Sequence, residues 1–128
     1  MAVPERYAEI DFKPTQAMAD AAARGLEYRR RGGGGGLTSR EAGELGIGSG
    51  VQRAVSIKMR SRLSPTVVKQ MVAFFSRHAR NRDISPGKQP WEDRGYVAWL
   101  LWGGDPGRAW ANARAREMAR ADEQAAED

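Results

Sequence analysis

Arginine and lysine side chains are concentrated in the middle of the chain, and their clustering is the clearest chemical signal in the sequence. Residues 24–82 carry thirteen basic and three acidic residues, whereas residues 1–23 and 83–128 are each net acidic. No Asp or Glu lies between Glu44 and Asp83. Such a block creates a positive potential that attracts phosphates or acidic surfaces. Seventeen of the 21 bases are arginine, which favours bidentate contacts with these groups.

This basic block predicts a nucleic-acid-binding surface. The candidate binding residues are Arg29, Arg30, Arg31, Arg53, Lys58, Arg60, Arg62, Lys69, Arg77, Arg80 and Arg82. Two alternatives fit the same charge pattern. One is a solvated basic face without a specific ligand, and the other is contact with an acidic protein surface.

Residues that could support catalysis or hold a cofactor are few. The chain has no cysteine and only one histidine, His78, which excludes thiolate metal sites, cysteine nucleophiles and multi-histidine sites. The run Gly32–Gly36 is followed by Leu37 and Thr38, not by the Lys-Ser/Thr pair of a phosphate-binding loop. Asp105 precedes Pro106 and is expected to cap a helix. The sequence therefore predicts a non-enzymatic protein with no cofactor and no metal, in which His78 packs at a helix end.

The hydrophobic pattern predicts a mainly α fold. One helix should begin at Pro14 and end at three arginines, and its apolar face is formed by Met18, Ala22, Gly25 and Leu26. A second should begin after Ser64, with Pro65 in its first turn. Its apolar stripe comprises Val68, Met71, Val72, Phe75 and Ala79.

The tryptophan-rich segment after residue 90 favours a helical hairpin. Residues 95–102 are apolar on every side and are followed by Gly103 and Gly104, and a further helix should then open at Asp105. Periodicity alone does not distinguish a buried short helix from a buried strand here. The four tryptophans are expected to pack in the core, with exposed base-stacking platforms as the alternative.

The chain divides into three predicted parts. Residues 1–31 form an extended N-terminal arm and the first helix, residues 32–50 form a glycine-rich joint, and residues 51–128 form a helical core domain with an acidic tail. The alternating residues of the arm could instead form a short strand. Thr38 and Glu41 have capping-box spacing, and a helix-turn-helix would direct Gln52, Arg53 and Ser56 toward a major groove. A loop followed by a short basic helix is the alternative.

The segment from Gly50 to Ala111 resembles a small domain that recurs in tailed-bacteriophage genomes. The matching elements are Gly50-Val51-Gln52-Arg53-Ala54, Leu63-Ser64-Pro65-Thr66-Val67, Met71-Val72-Ala73-Phe74-Phe75-Ser76-Arg77-His78, and Ala98-Trp99-Leu100-Leu101-Trp102-Gly103-Gly104-Asp105-Pro106-Gly107-Arg108-Ala109-Trp110-Ala111. The front segment, Tyr7-Ala8-Glu9-Ile10-Asp11-Phe12-Lys13-Pro14, also resembles the opening of such domains. The turn after His78 is shorter and more basic here than in that pattern. The resemblance implies a viral origin and a helical fold. It does not indicate an activity, and no catalytic residues follow from it.

Together, the basic block and the resemblance predict a phage protein that binds nucleic acid in a virion or packaging context. The alternatives are a structural or assembly component, such as a minor head or connector protein, and a small inhibitor of a host protein. Expected partners are nucleic acid, an acidic protein surface or other phage structural proteins. No apolar run approaches the roughly 18 residues of a membrane helix, so no membrane association is expected. The expected location is the host cytoplasm or the virion.

Overall fold

Five α-helices make up most of the part of the chain that the structure describes, which is residues 3–32 and 50–127 of a computed structural model. They are α1 (Gln16–Arg31), α2 (Gly50–Lys58), α3 (Pro65–Arg77), α4 (Arg94–Leu101) and α5 (Gly104–Glu127). Three short 3-10 turns cover Glu5–Tyr7, Ala79–Arg82 and Pro90–Glu92. These described residues contain no strand, which confirms the mainly α prediction. The predicted Thr38–Glu41 capping box and most of the glycine-rich joint lie outside them.

Helix α1 packs against α2, α4 and α5 because its buried face consists largely of small residues. At Gly25, a Cβ atom would lie only 2.8 Å from the backbone nitrogen of Leu101, so this position allows α1 and α4 to approach closely. The helix begins later than predicted. The Thr15 side chain accepts a hydrogen bond from the Met18 N–H, which makes Thr15 the N-cap and places Pro14 before the helix.

Helix α3 begins as predicted. The Ser64 hydroxyl accepts a hydrogen bond from the Val67 N–H, and Pro65 occupies the first turn. Its inner face buries Val68, Met71, Phe74 and Phe75, and it packs against α5. The predicted stripe was wrong at its last member. Ala79 is exposed, because the helix ends at Arg77 and the chain continues into a 3-10 turn.

Aromatic rings join α3 to the α4–α5 hairpin. Phe75 meets Trp99 edge-on with ring centroids 4.8 Å apart, and Phe74 stacks on Trp102 at 4.9 Å. Gly103 and Gly104 form the turn with φ values of 108° and 64°, which favour glycine. A Cβ atom on Gly107 would lie 2.7 Å from the Trp102 carbonyl oxygen. The helical hairpin is thus confirmed, and the glycines of this motif have structural roles.

The N-terminal segment lies against the helices as a bound arm. The Tyr7 hydroxyl and the Arg6 guanidinium each donate a hydrogen bond of 2.6 Å to the Asp122 carboxylate on α5. Further along, the Leu63 N–H donates to the Phe12 carbonyl oxygen at 3.0 Å. Tyr7 and Phe12 are both buried. The alternative of a short strand is wrong, since the arm begins with a 3-10 turn and makes no sheet pairing among the described residues.

A buried carboxylate holds the start of α4, the helix that carries Trp99. Asp93 is 7% exposed and accepts hydrogen bonds from the backbone N–H groups of Tyr96 at 3.0 Å and Ser85 at 2.7 Å. Burial by itself would raise the pKa of Asp93, but these hydrogen bonds outweigh it and lower the pKa below its ordinary value. The folded state therefore binds this proton less readily than the unfolded state does.

We expect this carboxylate to make the free energy of unfolding depend on pH. Because the folded pKa is lowered, the stabilisation is present above the unfolded pKa of about 4 and is lost as the pH falls through the folded value. Asp93→Asn should lower the free energy of unfolding at neutral pH by about 1–3 kcal/mol and flatten its decline in acid. Urea unfolding across this pH range measures both effects. Asp83→Asn, at an exposed position, is the control, and an unchanged acid decline in Asp93→Asn would contradict the assignment.

Candidate nucleic-acid interface

The side of α3 opposite its buried stripe is open to solvent and carries polar, small and basic residues. Its exposed members are Thr66, Lys69, Gln70, Ala73, Ser76 and Arg77, and we refer to them as the α3 face. The helical period separates this set from the buried stripe by about half a turn. Because aromatic packing holds the inner side, the orientation of the outer side is fixed as well.

Arg53 on α2 flanks the α3 face. Its Nη2 atom donates a long hydrogen bond of 3.5 Å to the Gln70 Oε1 atom, and its guanidinium lies 6.0 Å from the centroid of the Trp102 ring. Burial lowers the pKa of this guanidinium, and its buried Nε atom has no hydrogen-bond partner among the described residues. Arg53 thus turns toward α3 rather than outward as the helix-turn-helix interpretation predicts. The first helix of that motif lies outside the described residues.

Further predicted binding residues lie near the two ends of α3. Lys58 ends α2 and Arg62 lies in the connection to α3, and both are exposed. Arg80 is exposed in the 3-10 turn that follows α3. Arg60 is different, because its Nε atom donates to the Pro14 carbonyl oxygen at 2.9 Å and its backbone has a positive φ of 54°. We therefore assign Arg60 to holding the α2–α3 connection against the arm.

The remaining candidates make contacts away from α3. Arg30 forms an ion pair with Glu27 on α1. The Arg31 guanidinium lies 3.7 Å from the centroid of the Trp91 ring. Arg29, two residues before Arg31, is half-buried. Arg82 lies 3.6 Å from the Asp105 carboxylate. None of these contacts involves α3, so the basic block divides between separate parts of the surface.

The tryptophans do not form exposed stacking platforms. Trp99, Trp102 and Trp110 are each 6% exposed or less, which confirms their place in the core. Trp91 is half-buried, with Arg31 over its ring and Tyr28 at a centroid distance of 6.3 Å. Base stacking on the three buried rings is therefore ruled out in this structure.

His78 packs at the end of α3, as predicted. Its ring lies 5.1 Å from that of Phe74 and is half-buried. Burial and then the neighbouring charge of Arg77 lower the pKa of His78, which favours the neutral ring.

Within the described residues, no group of three or more His, Cys, Asp or Glu side chains could hold a metal ion. In the same residues, no helix is long and apolar enough to cross a membrane.

Asp105 has a role that sequence reasoning missed. Helix α5 begins at Gly104, so the prediction that Asp105 is the N-cap was wrong. Its Oδ1 atom instead accepts a hydrogen bond of 2.9 Å from the indole Nε1–H of buried Trp99. The pair borders a cleft of about 390 Å³ that is also lined by Asp20, Arg24 and Arg82. The mixed charges of this cleft balance one another, and it shows no preference for an anionic ligand.

Comparisons with known proteins assign no family to the chain. No family model, curated protein or solved structure matches it. The candidate interface therefore depends on the geometry and charge described above, and the bacteriophage resemblance stays a prediction.

Removing the Asp105 carboxylate should test its structural role. Asp105→Ala leaves the buried Trp99 N–H without an acceptor and should lower the free energy of unfolding by about 1–3 kcal/mol. Asp105→Asn keeps an acceptor oxygen and loses only the exposed contact with Arg82, so it should lower the free energy of unfolding by less than about 1 kcal/mol. Denaturation followed by tryptophan fluorescence measures both, with Asp20→Ala as the control. Equal losses for the two Asp105 variants would contradict this role.

Proposed function

We propose that this protein binds nucleic acid through the α3 face and the cations at the two ends of α3. The observation that carries the proposal is an exposed, well-anchored helix face with Lys69 and Arg77 in a stretch, residues 50–82, that contains no acid. The stretch itself adds no negative side chain that would repel a polyanion, and the Asp122 carboxylate on α5 is close enough for the charge of Lys69 to lower its pKa, after the hydrogen bonds from Tyr7 and Arg6. Because the helix is already ordered by its core packing, little backbone entropy is lost on binding.

The cations near α3 support phosphate binding because they are available for it. Lys58, Arg62, Lys69, Arg77 and Arg80 are all exposed, and none forms an ion pair with another described residue. Exposed arginine and lysine side chains without an ion-pair partner bind phosphates and release condensed counterions from the nucleic acid. Affinity should therefore fall steeply as the salt concentration rises. The bases held elsewhere, such as Arg82 beside Asp105, contribute less.

The biological setting is part of the same proposal. The sequence pattern of residues 50–111 supports a phage protein that acts by binding rather than by catalysis, in a virion or packaging context. Its place would then be the host cytoplasm or the assembled particle. The proposed role needs no cofactor.

A second candidate function is an assembly component that binds another protein. One observation favours it: Val51, Val55 and Met59 are 37%, 48% and 70% exposed, at spacings of four residues along α2 and its end. We refer to these three as the α2 stripe. Exposed apolar residues at one helical face are typical of protein-binding surfaces. The third option, an inhibitor of a host protein, has no comparable structural support.

Removing three cations from the α3 region should weaken binding to DNA and make it less dependent on salt. Each lost phosphate contact lowers the slope of log K against log salt by about 0.9. The triple variant Lys69→Ala, Arg77→Ala, Arg80→Ala should therefore lower the slope by about 2–3. Fluorescence anisotropy with a labelled mixed-sequence duplex, repeated over a range of salt concentrations, measures this change.

A matched triple variant serves as the control. Lys88→Ala, Arg116→Ala and Arg120→Ala remove the same charge from exposed positions outside α3 and its two ends, and the slope should stay within about one contact of the wild-type value. Equal effects of the two triples would show that only total charge matters and would contradict the proposed interface. If the wild-type protein binds no DNA at low salt, the nucleic-acid proposal fails and the α2 stripe becomes the leading candidate surface.

A further inference from the structure

We infer that the α3 face enters the major groove of duplex DNA and that Gln70 and Arg77 read base edges there. This inference rests on the proposed function and goes further, because it names the ligand as duplex DNA and assigns the residues that determine sequence preference. Phosphate binding alone would require neither a duplex nor a particular helix face.

The spacing of the outward residues fits a groove-binding helix. Thr66, Gln70, Ala73 and Arg77 follow one another at intervals of four, three and four residues, so they form a line along the exposed side of α3. Gln70 and Arg77 are seven residues apart, about 10 Å along the helix axis. This distance corresponds to about three base-pair steps, and the major groove is wide enough to admit an α-helix.

The chemistry of the two residues matches base recognition. A glutamine amide can pair with the N6 and N7 atoms of adenine, and an arginine guanidinium with the O6 and N7 atoms of guanine. Arg53 donates a long hydrogen bond of 3.5 Å to the Gln70 Oε1 atom. One lone pair of that oxygen remains to accept from adenine N6, and the NH2 group remains to donate to N7. Arg77 is exposed and forms no ion pair within the described residues.

Small side chains allow the backbone of α3 to come close to the bases. Ala73 lies between Gln70 and Arg77, and Ser76 is beside Arg77. Lys69 flanks this line, while Arg62 and Arg80 lie beyond its two ends, where phosphates would border the groove. The centre of the face thus suits contact with the bases, and its margins suit contact with the phosphates of the duplex.

A duplex fits this surface better than a single strand does. Proteins that bind single strands use exposed aromatic rings on which bases stack. No aromatic residue belongs to the α3 face, and the rings of Phe74, Phe75, Trp99 and Trp102 are buried beneath it. Groove-reading motifs instead place an α-helix in the major groove, where its hydrogen-bonding side chains contact base edges.

Selection of binding sites from a random duplex library tests the reading of bases. The wild-type protein should enrich a short motif that includes an adenine and a guanine about three steps apart. Gln70→Ala and Arg77→Ala should each relax the preference at one of these two positions, roughly 5- to 150-fold. Recovery of no motif, with salt-dependent binding retained, would overturn the inference and leave the proposed function intact. A preference for single-stranded DNA or RNA of the same sequence would also overturn it.

A bulky side chain in the centre of the face tests entry into the groove. Ala73→Phe should reduce affinity for the selected duplex at least tenfold, because the ring would hold the helix away from the bases. Ala119→Phe adds the same ring at an exposed position of α5 and should leave affinity unchanged. Circular dichroism confirms that both variants are folded. Wild-type affinity in a folded Ala73→Phe variant would overturn the inference.

Discussion

The packing of the Phe74 and Phe75 rings against Trp102 and Trp99 is the interaction on which the rest of the structure depends. It fixes the rotation of α3 about its own axis, because two adjacent rings on one helix fit two rings on the α4–α5 hairpin. The glycines at positions 103, 104 and 107 allow the hairpin to close tightly enough to present those rings. Once this rotation is fixed, the polar residues of α3 must face solvent.

In the proposed function, core packing and nucleic-acid binding lie on opposite sides of one helix. The inner side of α3 is held by the burial of aromatic rings, which contribute strongly to the stability of a protein core because each ring buries a large apolar area. The outer side is exposed, and its cations Lys69 and Arg77 form no ion pair with another described residue, which leaves them able to bind phosphates in the proposed function. Arg53 links the two sides, since it lies over Trp102 and also contacts Gln70. Asp105 and Asp93 act only on the structural side, where they hold Trp99 and the helix that carries it.

Much of the fold could be predicted because its signals are local. Ser64 and Pro65 mark the start of α3, and a regular apolar spacing marks its buried face. The arm could be predicted only in outline, because the contact of Tyr7 with Asp122 joins residues 115 positions apart. The same limit applies to Asp105. Its place before Pro106 is a local signal that wrongly predicted an N-cap, whereas its hydrogen bond from Trp99 depends on how the hairpin closes. The contacts of the predicted binding residues could not be foreseen, since charge along a sequence does not reveal that Arg31 lies over Trp91 or that Arg60 points toward Pro14. Gln70 is not among the predicted binding residues because it is uncharged, although its position opposite the apolar stripe indicates that it faces solvent.

Backbone amide chemical-shift mapping of the full chain with a short DNA duplex shows directly which face of the protein the duplex contacts. The largest shifts should fall on Thr66, Lys69, Gln70, Ala73 and Arg77, and the distal half of α5 should stay unchanged. Shifts concentrated at Arg29–Arg31 and Trp91, or along the α2 stripe, would contradict the claim that the outer face of α3 is the nucleic-acid interface.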